Sequence, residues 1–580
     1  MGAKLTFRYG TYAGIEEWRV GGQCMQSQEM ITAAVAAFQR GDLVRARQLA
    51  EEQLARSEQS PLLHHLLGLI DCRAGQFSAG IERLKRAVRA DPGNLSYRIV
   101  LARALIDSGR PAEALEVAVP PAGRSAGDLE LWQVRAEAAF YAGRRAAEAE
   151  AWQAICDTRP GDPTAWAHLG RVHVSQYEFT EGEAAYRKAL TLAPLPAVRH
   201  ELGLLLERTN QLDALGRLLD EAVAEGIRKE ELADLWALRA LRAGDLEEAL
   251  RLAEVMDVGR DPYRLYALKA KIADLANRPA EAFVAAMAMN RSVEHGAIWR
   301  VRGREYRNEL RARARALADW LPRFTPLRKS SRRSPAFLIG FPRSGTTLSE
   351  IFLRGHPDVE ILEEVPLVEA AAQSLGGIAR LDAATSEQLQ TARDRYFASL
   401  DQHIDPFFSG LVVDKQAFNM LSLPLIAALF PDARIIFAQR HPCDCVLSGF
   451  MQGFVPNNAM ASFMQIDEAA DLYDAAMSVF TLARANLSVS VHTLVYEQLV
   501  TDPAAVLRPL TDFLGLAWRP ELLDHRDTAA RRSAIKTPSY ASVSQPLSQQ
   551  PSGRWRRYQA QLAPVLPVLL PWAERLGYSD

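Results

Sequence analysis

A short segment in the second half of the chain has the residues of an anion-binding loop. Residues 340–347 read GFPRSGTT, between an apolar run at 336–339 and an amphipathic stretch that begins at Leu348. A strand, a glycine-bearing loop and a helix N-terminus in this order aim backbone N–H groups and a helix dipole at a phosphate. The residues predicted to bind this phosphate are Arg343, Ser344, Gly345, Thr346 and Thr347.

The loop differs from a nucleoside-triphosphate loop at one position that matters for its ligand. Its G-x4-G-x-T spacing is the same, but Thr346 stands where such loops carry lysine, and the basic residue is Arg343 instead. Without that lysine, a pair of β- and γ-phosphates is poorly held. The sequence therefore favours a smaller anionic group, and a P-loop kinase or NTPase remains the alternative enzyme.

A second predicted phosphate site follows another apolar strand. Residues 434–439 read RIIFAQ, Arg440 comes directly after them, and Ser448 lies eight residues further on. An arginine offers a planar fork of donors to one phosphate, and a serine hydroxyl adds another donor. The arrangement predicts that Arg440 and Ser448 bind one phosphate group together.

These two motifs, in this order, resemble those of sulfotransferases that use 3′-phosphoadenosine 5′-phosphosulfate (PAPS). Residues 335–580 look most like tyrosylprotein sulfotransferases and bacterial sulfotransferases with tetratricopeptide repeats. Segments that add to the resemblance are 411–415, 494–503 and 512–516. The resemblance implies that the loop binds the 5′-phosphosulfate, and that Arg440 and Ser448 bind the 3′-phosphate. It also implies PAPS as co-substrate, adenosine 3′,5′-bisphosphate as product, and no metal.

The same resemblance implies which residues carry out the reaction. The family's catalytic base is a glutamate 21 residues after the loop arginine, which here is Glu364, next to Glu363. Its catalytic lysine ends a strand and is here Lys415, and Arg343 completes the catalytic set. Neighbouring residues of an extended segment point in opposite directions, so only one of Glu363 and Glu364 is expected to face the site. Further nucleotide contacts implied by the resemblance are Tyr496, Ser544 and Arg554.

The first half of the chain carries an internal repeat. Small residues recur at intervals of 34 in two sets, which are Gly41, Gly75, Gly109 and Gly143, and Gly68, Ala102, Ala136 and Gly170. The first set is predicted to lie in turns and the second where paired helices approach closely. With Trp166, Leu169 and Ala189 at the matching offsets, this half resembles the tetratricopeptide repeat (TPR) family. The resemblance implies a solenoid whose concave face binds a peptide or protein.

Together these patterns predict an α + α/β chain in four segments. A TPR α-solenoid of about seven to eight repeats is followed by a P-loop-like α/β sulfotransferase domain with a central parallel sheet. The predicted segments are an N-terminal extension at 1–27, the solenoid at 28–294, a basic helical connector at 295–334 and the sulfotransferase domain at 335–580.

Composition excludes several classes of protein. Among 580 residues, 48% are hydrophobic and only 35 are Gly and 31 Pro, which excludes disordered and collagen-like chains. A formal net charge of −2 gives no global attraction to nucleic acid. The sequence lacks the long apolar run of a membrane span. Five scattered cysteines are typical of a reducing compartment, so we expect a cytoplasmic protein.

The favoured function is transfer of the sulfonate of PAPS to a hydroxyl group, with a tyrosine of a peptide or protein as the first choice of acceptor. A sugar, a lipid or a small phenol remains open as acceptor. The alternative outside the enzymes is a TPR interaction scaffold with an inactive P-loop domain. The sequence leaves the oligomeric state open, a dimer included.

Overall fold

The computed structural model divides the chain into two compact units, 1–228 and 229–580. The residues it describes are 25–56, 59–120, 129–293, 295–321, 325–525, 528, 547 and 552–579. The predicted N-terminal extension therefore lies almost wholly outside the described residues. The predicted fold class is confirmed, because helical repeats precede an α/β domain with a central parallel sheet. The limits of the four predicted segments stay predictions.

In the described part of the first unit, twelve helices follow one another in pairs. Several begin with proline, as at Pro61, Pro163 and Pro196, where the missing N–H costs no intrahelical bond. The helices are α1 Met25–Gln39, α2 Leu43–Leu54, α3 Pro61–Arg73, α4 Phe77–Ala90, α5 Leu95–Asp107, α6 Pro111–Val117, α7 Leu129–Tyr141, α8 Arg145–Thr158, α9 Pro163–Ser175, α10 Phe179–Leu192, α11 Pro196–Arg208 and α12 Leu212–Ala224.

Both sets of small residues have the roles that the 34-residue period predicts. The turn glycines have positive φ, with 82° at Gly41, 77° at Gly75, 76° at Gly109 and 68° at Gly143. Gly68 and Gly170 lie where two helices pack closely. A Cβ on Gly68 would lie 2.7 Å from Cγ of Leu84, and one on Gly170 would lie 2.6 Å from Cδ1 of Tyr186. Glycine meets the first need without strain, and at Gly68 and Gly170 the close contact leaves no room for a side chain.

The second unit opens with two more helix pairs and a long helix, and then becomes an α/β domain. Its helices before the sheet are α13 Ala233–Ala243, α14 Leu246–Val255, α15 Pro262–Leu275, α16 Pro279–Arg291 and α17 Gly296–Trp320. The strands are β1 Ala336–Gly340, β2 Val359–Glu363, β3 Leu411–Lys415, β4 Arg434–Gln439 and β5 Ser490–Val495. The helices among and after them are α18 Thr346–Arg354, α19 Leu367–Ser374, α20 Ser386–Leu400, α21 Leu423–Leu429, α22 Pro442–Phe450, α23 Ile466–Asn486, α24 Tyr496–Thr501, α25 Pro503–Leu514, α26 Gln559–Leu562 and α27 Leu566–Arg575.

The described strands form one parallel sheet in the order β2-β3-β1-β4-β5. Within it, Phe337 of β1 pairs with Asp414 of β3 on one side and with Ile435 of β4 on the other. Every residue of β1 is buried, which is typical of a central parallel strand covered on both faces.

The two faces of the sheet pack into separate apolar clusters. Phe337 and Ile339 lie in one cluster with residues of α21 and α23, whereas Ala336 and Leu338 lie in another with residues of α18 and α25. This alternation follows from the period of two along a strand. The continuous apolar runs of the sequence are thus explained by burial on both sides.

Helix α17 carries the basic stretch predicted as a connector. Its Arg307 is 4% exposed, donates to Oγ of Ser462 at 3.0 Å and lies 3.6 Å from Glu468. Arg311 pairs with Asp471 at 3.2 Å. These arginines bind acidic residues at the start of α23, so their charge serves packing within the unit.

Candidate active site

The carboxyl ends of the parallel strands bring most of the predicted site residues to one edge of the sheet. Strand β1 leads into the loop 341–345, β2 ends at Glu363 and β3 ends at Lys415. Strands β4 and β5 end one residue before Arg440 and Tyr496. Because β1 is central and its neighbours β3 and β4 lie on opposite sides, this edge contains the switch point at which open α/β sheets bind ligands.

The loop after β1 has a backbone that few residue types adopt. Arg343 has φ 72°, and Gly345, the N-cap of α18, has φ 100°. A Cβ on Gly345 would lie 2.5 Å from Cδ2 of Tyr496, closer than real Cβ contacts allow. Glycine is therefore required at 345 both by the backbone and by the tyrosine ring. A non-glycine residue in this conformation, such as Arg343, is typical of functional loops.

Buried hydroxyl groups line the loop. Ser344 is 1% exposed, and its Oγ has no hydrogen-bond partner among the described residues. Thr346 and Thr347 are also buried and form the first turn of α18, where backbone N–H groups lack intrahelical acceptors. Because buried polar groups are normally paired, this set of donors fits a phosphate oxygen.

Two arginines and a serine form one hydrogen-bonded group beside the loop. Nε of Arg343 donates to Oγ of Ser448 at 3.1 Å, and Nη1 of Arg440 donates to the carbonyl oxygen of Arg343 at 3.0 Å. The guanidinium of Arg440 also lies 4.6 Å from the centre of the Tyr496 ring. The structure thus brings together four of the residues predicted to bind nucleotide.

Burial and neighbouring charges perturb these two guanidinium groups. Burial, with the charge of Arg440 acting in the same direction, lowers the pKa of Arg343 to about 10. Burial also acts to lower the pKa of Arg440, but neighbours that include the carboxylates of Asp444 and Glu497 outweigh it and leave that pKa raised. Positive groups held side by side away from water are stabilised by an anion between them.

A buried lysine surrounded by carboxylates lies on the other side of the loop. Lys415 is 1% exposed, and its Nζ donates to Oε1 of Glu364 at 3.3 Å. The same Nζ lies 3.5 Å from Oε2 of Glu350 and 3.8 Å from Oε1 of Glu363. The side chain of Glu364 is 51% exposed, whereas those of Glu350 and Glu363 are 0% and 3% exposed. Only Glu364, of these three, is open to a second substrate.

The backbone fixes this arrangement. Glu364 has φ 53°, and its N–H donates to the carbonyl oxygen of Lys415 at 2.9 Å, so the chain turns sharply where β2 ends. Because of this turn, Glu363 and Glu364 both approach Lys415, and the prediction that only one of them faces the site is wrong. Behind the lysine, buried Asp414 accepts hydrogen bonds from Tyr396 at 2.9 Å and Asn419 at 3.2 Å. Burial raises the pKa of Asp414 to about 7.

The last two predicted nucleotide contacts have different outcomes. Ser544 lies outside the described residues. Arg554 donates through Nε to Oδ1 of Asp274 at 3.0 Å, and Asp274 also accepts a hydrogen bond from the hydroxyl of Tyr558 at 2.6 Å. The segment is held further by Asp444, which accepts the N–H of Gly553 at 2.7 Å. Arg554 is therefore bound to helix α15, and its role in nucleotide binding stays a prediction.

No sequence motif predicts the contacts that Glu350, Asp444 and Asp274 make in the site. Glu350 could have been found, because it is the one charged residue in the run TTLSEIFL that follows the loop and lies seven residues after Arg343. Asp274 could not, since 280 residues separate it from Arg554.

The described residues contain neither a metal-binding cluster nor a membrane-spanning helix. No group of three or more His, Cys, Asp or Glu residues there could hold a metal ion. No helix among these residues combines the length and the apolar character needed to cross a membrane.

Comparisons with known families match both parts of the chain. Residues 335–520 match the model of a sulfotransferase family, and residues 72–138 match that of a tetratricopeptide repeat. A solved sulfotransferase domain from the Synechococcus PCC 7002 olefin synthase is 20% identical and covers 44% of this chain and 100% of its own, with a TM-score of 0.30.

Individual relatives are distant. Protein-tyrosine sulfotransferase 1 of Danio rerio is 28% identical over 263 residues, which are 42% of this chain and 72% of that protein. The human protein of the same name is 27% identical over 263 residues, 42% of this chain and 69% of its own. An uncharacterized protein of Aquifex aeolicus (strain VF5) is 26% identical over 253 residues, 41% of this chain, and the match spans 32% of that relative's length. Residues 335–520 are therefore similar to a sulfotransferase family, and a segment similar to a tetratricopeptide repeat precedes them in the same chain.

Proposed function

We propose that the protein transfers the sulfonate group of PAPS to the hydroxyl group of a tyrosine in a peptide or protein. The observation that carries this proposal is that, at the sheet edge, two arginines lie apart from a pair of a lysine and a glutamate. Arg343 and Arg440 lie on one side of the loop, and the pair of Lys415 and Glu364 lies on the other. A site of this kind suits a nucleotide with several negative charges next to a hydroxyl that must lose its proton.

The contacts around the loop support a role for each residue in binding one of the two phosphates of the nucleotide. The buried hydroxyl of Ser344, the backbone of Gly345 and the first turn of α18 would hold the 5′-phosphate. Arg440 and Ser448 would hold the 3′-phosphate, with Tyr496 stacked against Arg440. When bound, PAPS supplies an activated sulfonyl group on a phosphate leaving group.

The chain's own residues move the proton and stabilise the developing charge. Glu364 accepts the proton of the acceptor hydroxyl while the oxygen of that hydroxyl forms a bond to sulfur. The bond from sulfur to the bridging phosphate oxygen breaks in the same displacement, and Arg343 and Lys415 stabilise the negative charge on that oxygen. Glu364 is the proposed base rather than Glu363, because the side chain of Glu363 is only 3% exposed.

Tyrosine is proposed as acceptor on two grounds. Several relatives are named protein-tyrosine sulfotransferases, and TPR solenoids commonly bind peptides or proteins on their concave face. The repeats would then recruit the substrate or a partner. The buried thiols of Cys72, Cys156 and Cys445 suit a reducing compartment, so the cytoplasm is the proposed location.

Binding followed by turnover tests the proposal. Calorimetry should show binding of adenosine 3′,5′-bisphosphate that Arg440→Ala weakens, and little binding of ATP with magnesium. Preference for ATP, or unchanged binding by Arg440→Ala, would contradict the proposal and favour a kinase or NTPase.

Turnover then identifies the acceptor and the base. With labelled PAPS, tyrosyl peptides should become labelled, whereas matched phenylalanyl peptides and sugars should not. Glu364→Gln should lose most of this activity, about a hundredfold or more. Glu360→Gln is the matched control, because Glu360 lies on β2 with a side chain that is 45% exposed. If only sugars became labelled, tyrosine would be the wrong acceptor, but the protein would still be a sulfotransferase.

A further inference from the structure

The three carboxylates around Lys415 differ in how firmly they are held. Glu350 and Glu363 are buried, and Glu364 is half exposed, yet all three have an oxygen within 3.8 Å of the lysine Nζ. Of the three distances, only that to Glu364, 3.3 Å, is a hydrogen bond from Nζ, whereas those to Glu350 and Glu363, 3.5 and 3.8 Å, are ion-pair contacts. The N–H that Glu364 accepts is not available to a leaving oxygen while Glu364 stays in this place.

Glu350 is the most firmly held of the three. Its Oε1 accepts a hydrogen bond from Nε of Arg354 at 2.8 Å, and Arg354 is itself fixed by donating through Nη2 to the carbonyl oxygen of Ile361 at 2.7 Å. A fully buried carboxylate is costly unless it is paired, and Glu350 is paired on both sides, by Arg354 and by Lys415. It also stands on the helix that begins at the phosphate-binding loop.

We propose that Glu350 is a positioning residue that holds Nζ of Lys415, and that Glu364 is the carboxylate that leaves this ammonium to meet the acceptor. This inference rests on the proposed function. Departure of Glu364 frees one N–H of Lys415 at the moment the acceptor hydroxyl is bound. Glu350 and Glu363 keep the lysine in place, so the freed donor points toward the loop.

Glu350→Gln keeps the size of the side chain and removes its charge. We expect kcat to fall about tenfold to a hundredfold, since a small misplacement of a reacting group has effects of this size. The KM for PAPS and the affinity for adenosine 3′,5′-bisphosphate should hardly change, because the nucleotide contacts lie elsewhere. Glu350→Asp keeps the charge and should recover part of kcat. Glu360→Gln is the control, because Glu360 also pairs with Arg354, at 4.0 Å, so its replacement disturbs Arg354 without changing Glu350.

A double-mutant cycle separates positioning from general stability. In a Lys415→Ala background, Glu350→Gln should cost almost nothing further, because it would act through the lysine alone. An equal loss in both backgrounds, or a full kcat for Glu350→Gln, would overturn the inference.

A crystal structure of Glu350→Gln gives a readout that does not depend on turnover. Nζ of Lys415 should leave its present place between the carboxylates, and an unmoved Nζ would overturn the inference. If the wild-type protein transferred no sulfonate, the proposed function would fail, and this structure would still decide the role of Glu350.

Discussion

Replacing Gly345 by alanine tests the geometry of the phosphate-binding loop. The new Cβ meets two obstacles, a backbone with φ 100° and ψ 12°, and the Tyr496 ring 2.5 Å away. The left-handed backbone costs about 1–2 kcal/mol for a residue with a Cβ. Displacing the ring adds about 1–3 kcal/mol, as for other overpacked sites. We therefore expect Gly345→Ala to lower the free energy of unfolding by about 2–5 kcal/mol.

Gly244 supplies a matched control within the same compact unit. It has a similar conformation, with φ 79° and ψ 7°, but a Cβ there would meet nothing within 4 Å. Gly244→Ala should therefore cost only the backbone share, about 1–2 kcal/mol.

Two assays read the effect of the substitution at 345. Urea unfolding gives the free-energy difference between the two variants, and calorimetry gives the affinity for adenosine 3′,5′-bisphosphate. Because Tyr496 also lies over Arg440, Gly345→Ala should lose nucleotide affinity and Gly244→Ala should keep it. Equal destabilisation by the two substitutions, or unchanged nucleotide binding by Gly345→Ala, would refute the close contact between loop and ring.

Three further predictions concern single side chains. Lys415→Arg should reduce sulfonate transfer at least about tenfold while nucleotide binding is kept, because a planar guanidinium cannot take the place of a compact ammonium in a buried pocket; initial rates and calorimetry measure both. The pKa of Asp414 is raised by burial to about 7, so the folded state binds a proton that the unfolded state releases; stability should fall as pH rises from about 4 to about 7, and Asp414→Asn should flatten that part of a urea-unfolding pH series. Asp274→Asn weakens the hold on Arg554 and Tyr558, so trypsin should cut the segment 552–558 faster than in the wild type, and an unchanged rate would mean that other contacts hold it.

The parts of the site that follow from the sequence are those encoded by neighbours along the chain. The order of strand, loop and helix sets the positions of Ser344 and Gly345, and a strand followed by Arg440 and Ser448 sets the second group. Parallel strands share one edge, so the sequence also implies that these groups meet. The turn glycines follow in the same way from a local period.

The parts that do not follow depend on contacts between distant segments. Which of Glu363 and Glu364 is exposed as the base depends on the turn at Glu364, and no local sequence pattern predicts its φ of 53°. The carboxylates meet around Lys415 only because β3 pairs with β2 and because α18 carries Glu350 to the same place. Asp274 reaches Arg554 only because α15 packs in the same unit as the α/β domain.

The strand order explains why the groups proposed to bind the nucleotide and the groups proposed to accept the proton lie on opposite sides of β1. With β1 in the centre, β2 and β3 bring Glu363, Glu364 and Lys415 to one side, where Glu350 of α18 joins them. Strands β4 and β5 bring Arg440 and Tyr496 to the other side. A nucleotide carrying several negative charges is repelled from the first side and attracted to the second. The loop between them is then where we expect an activated sulfonyl group and a proton acceptor to meet. We therefore expect charge reversal at Glu350 or Glu363 to let nucleotide bind in more than one orientation, whereas changes at Arg440 should only weaken its binding.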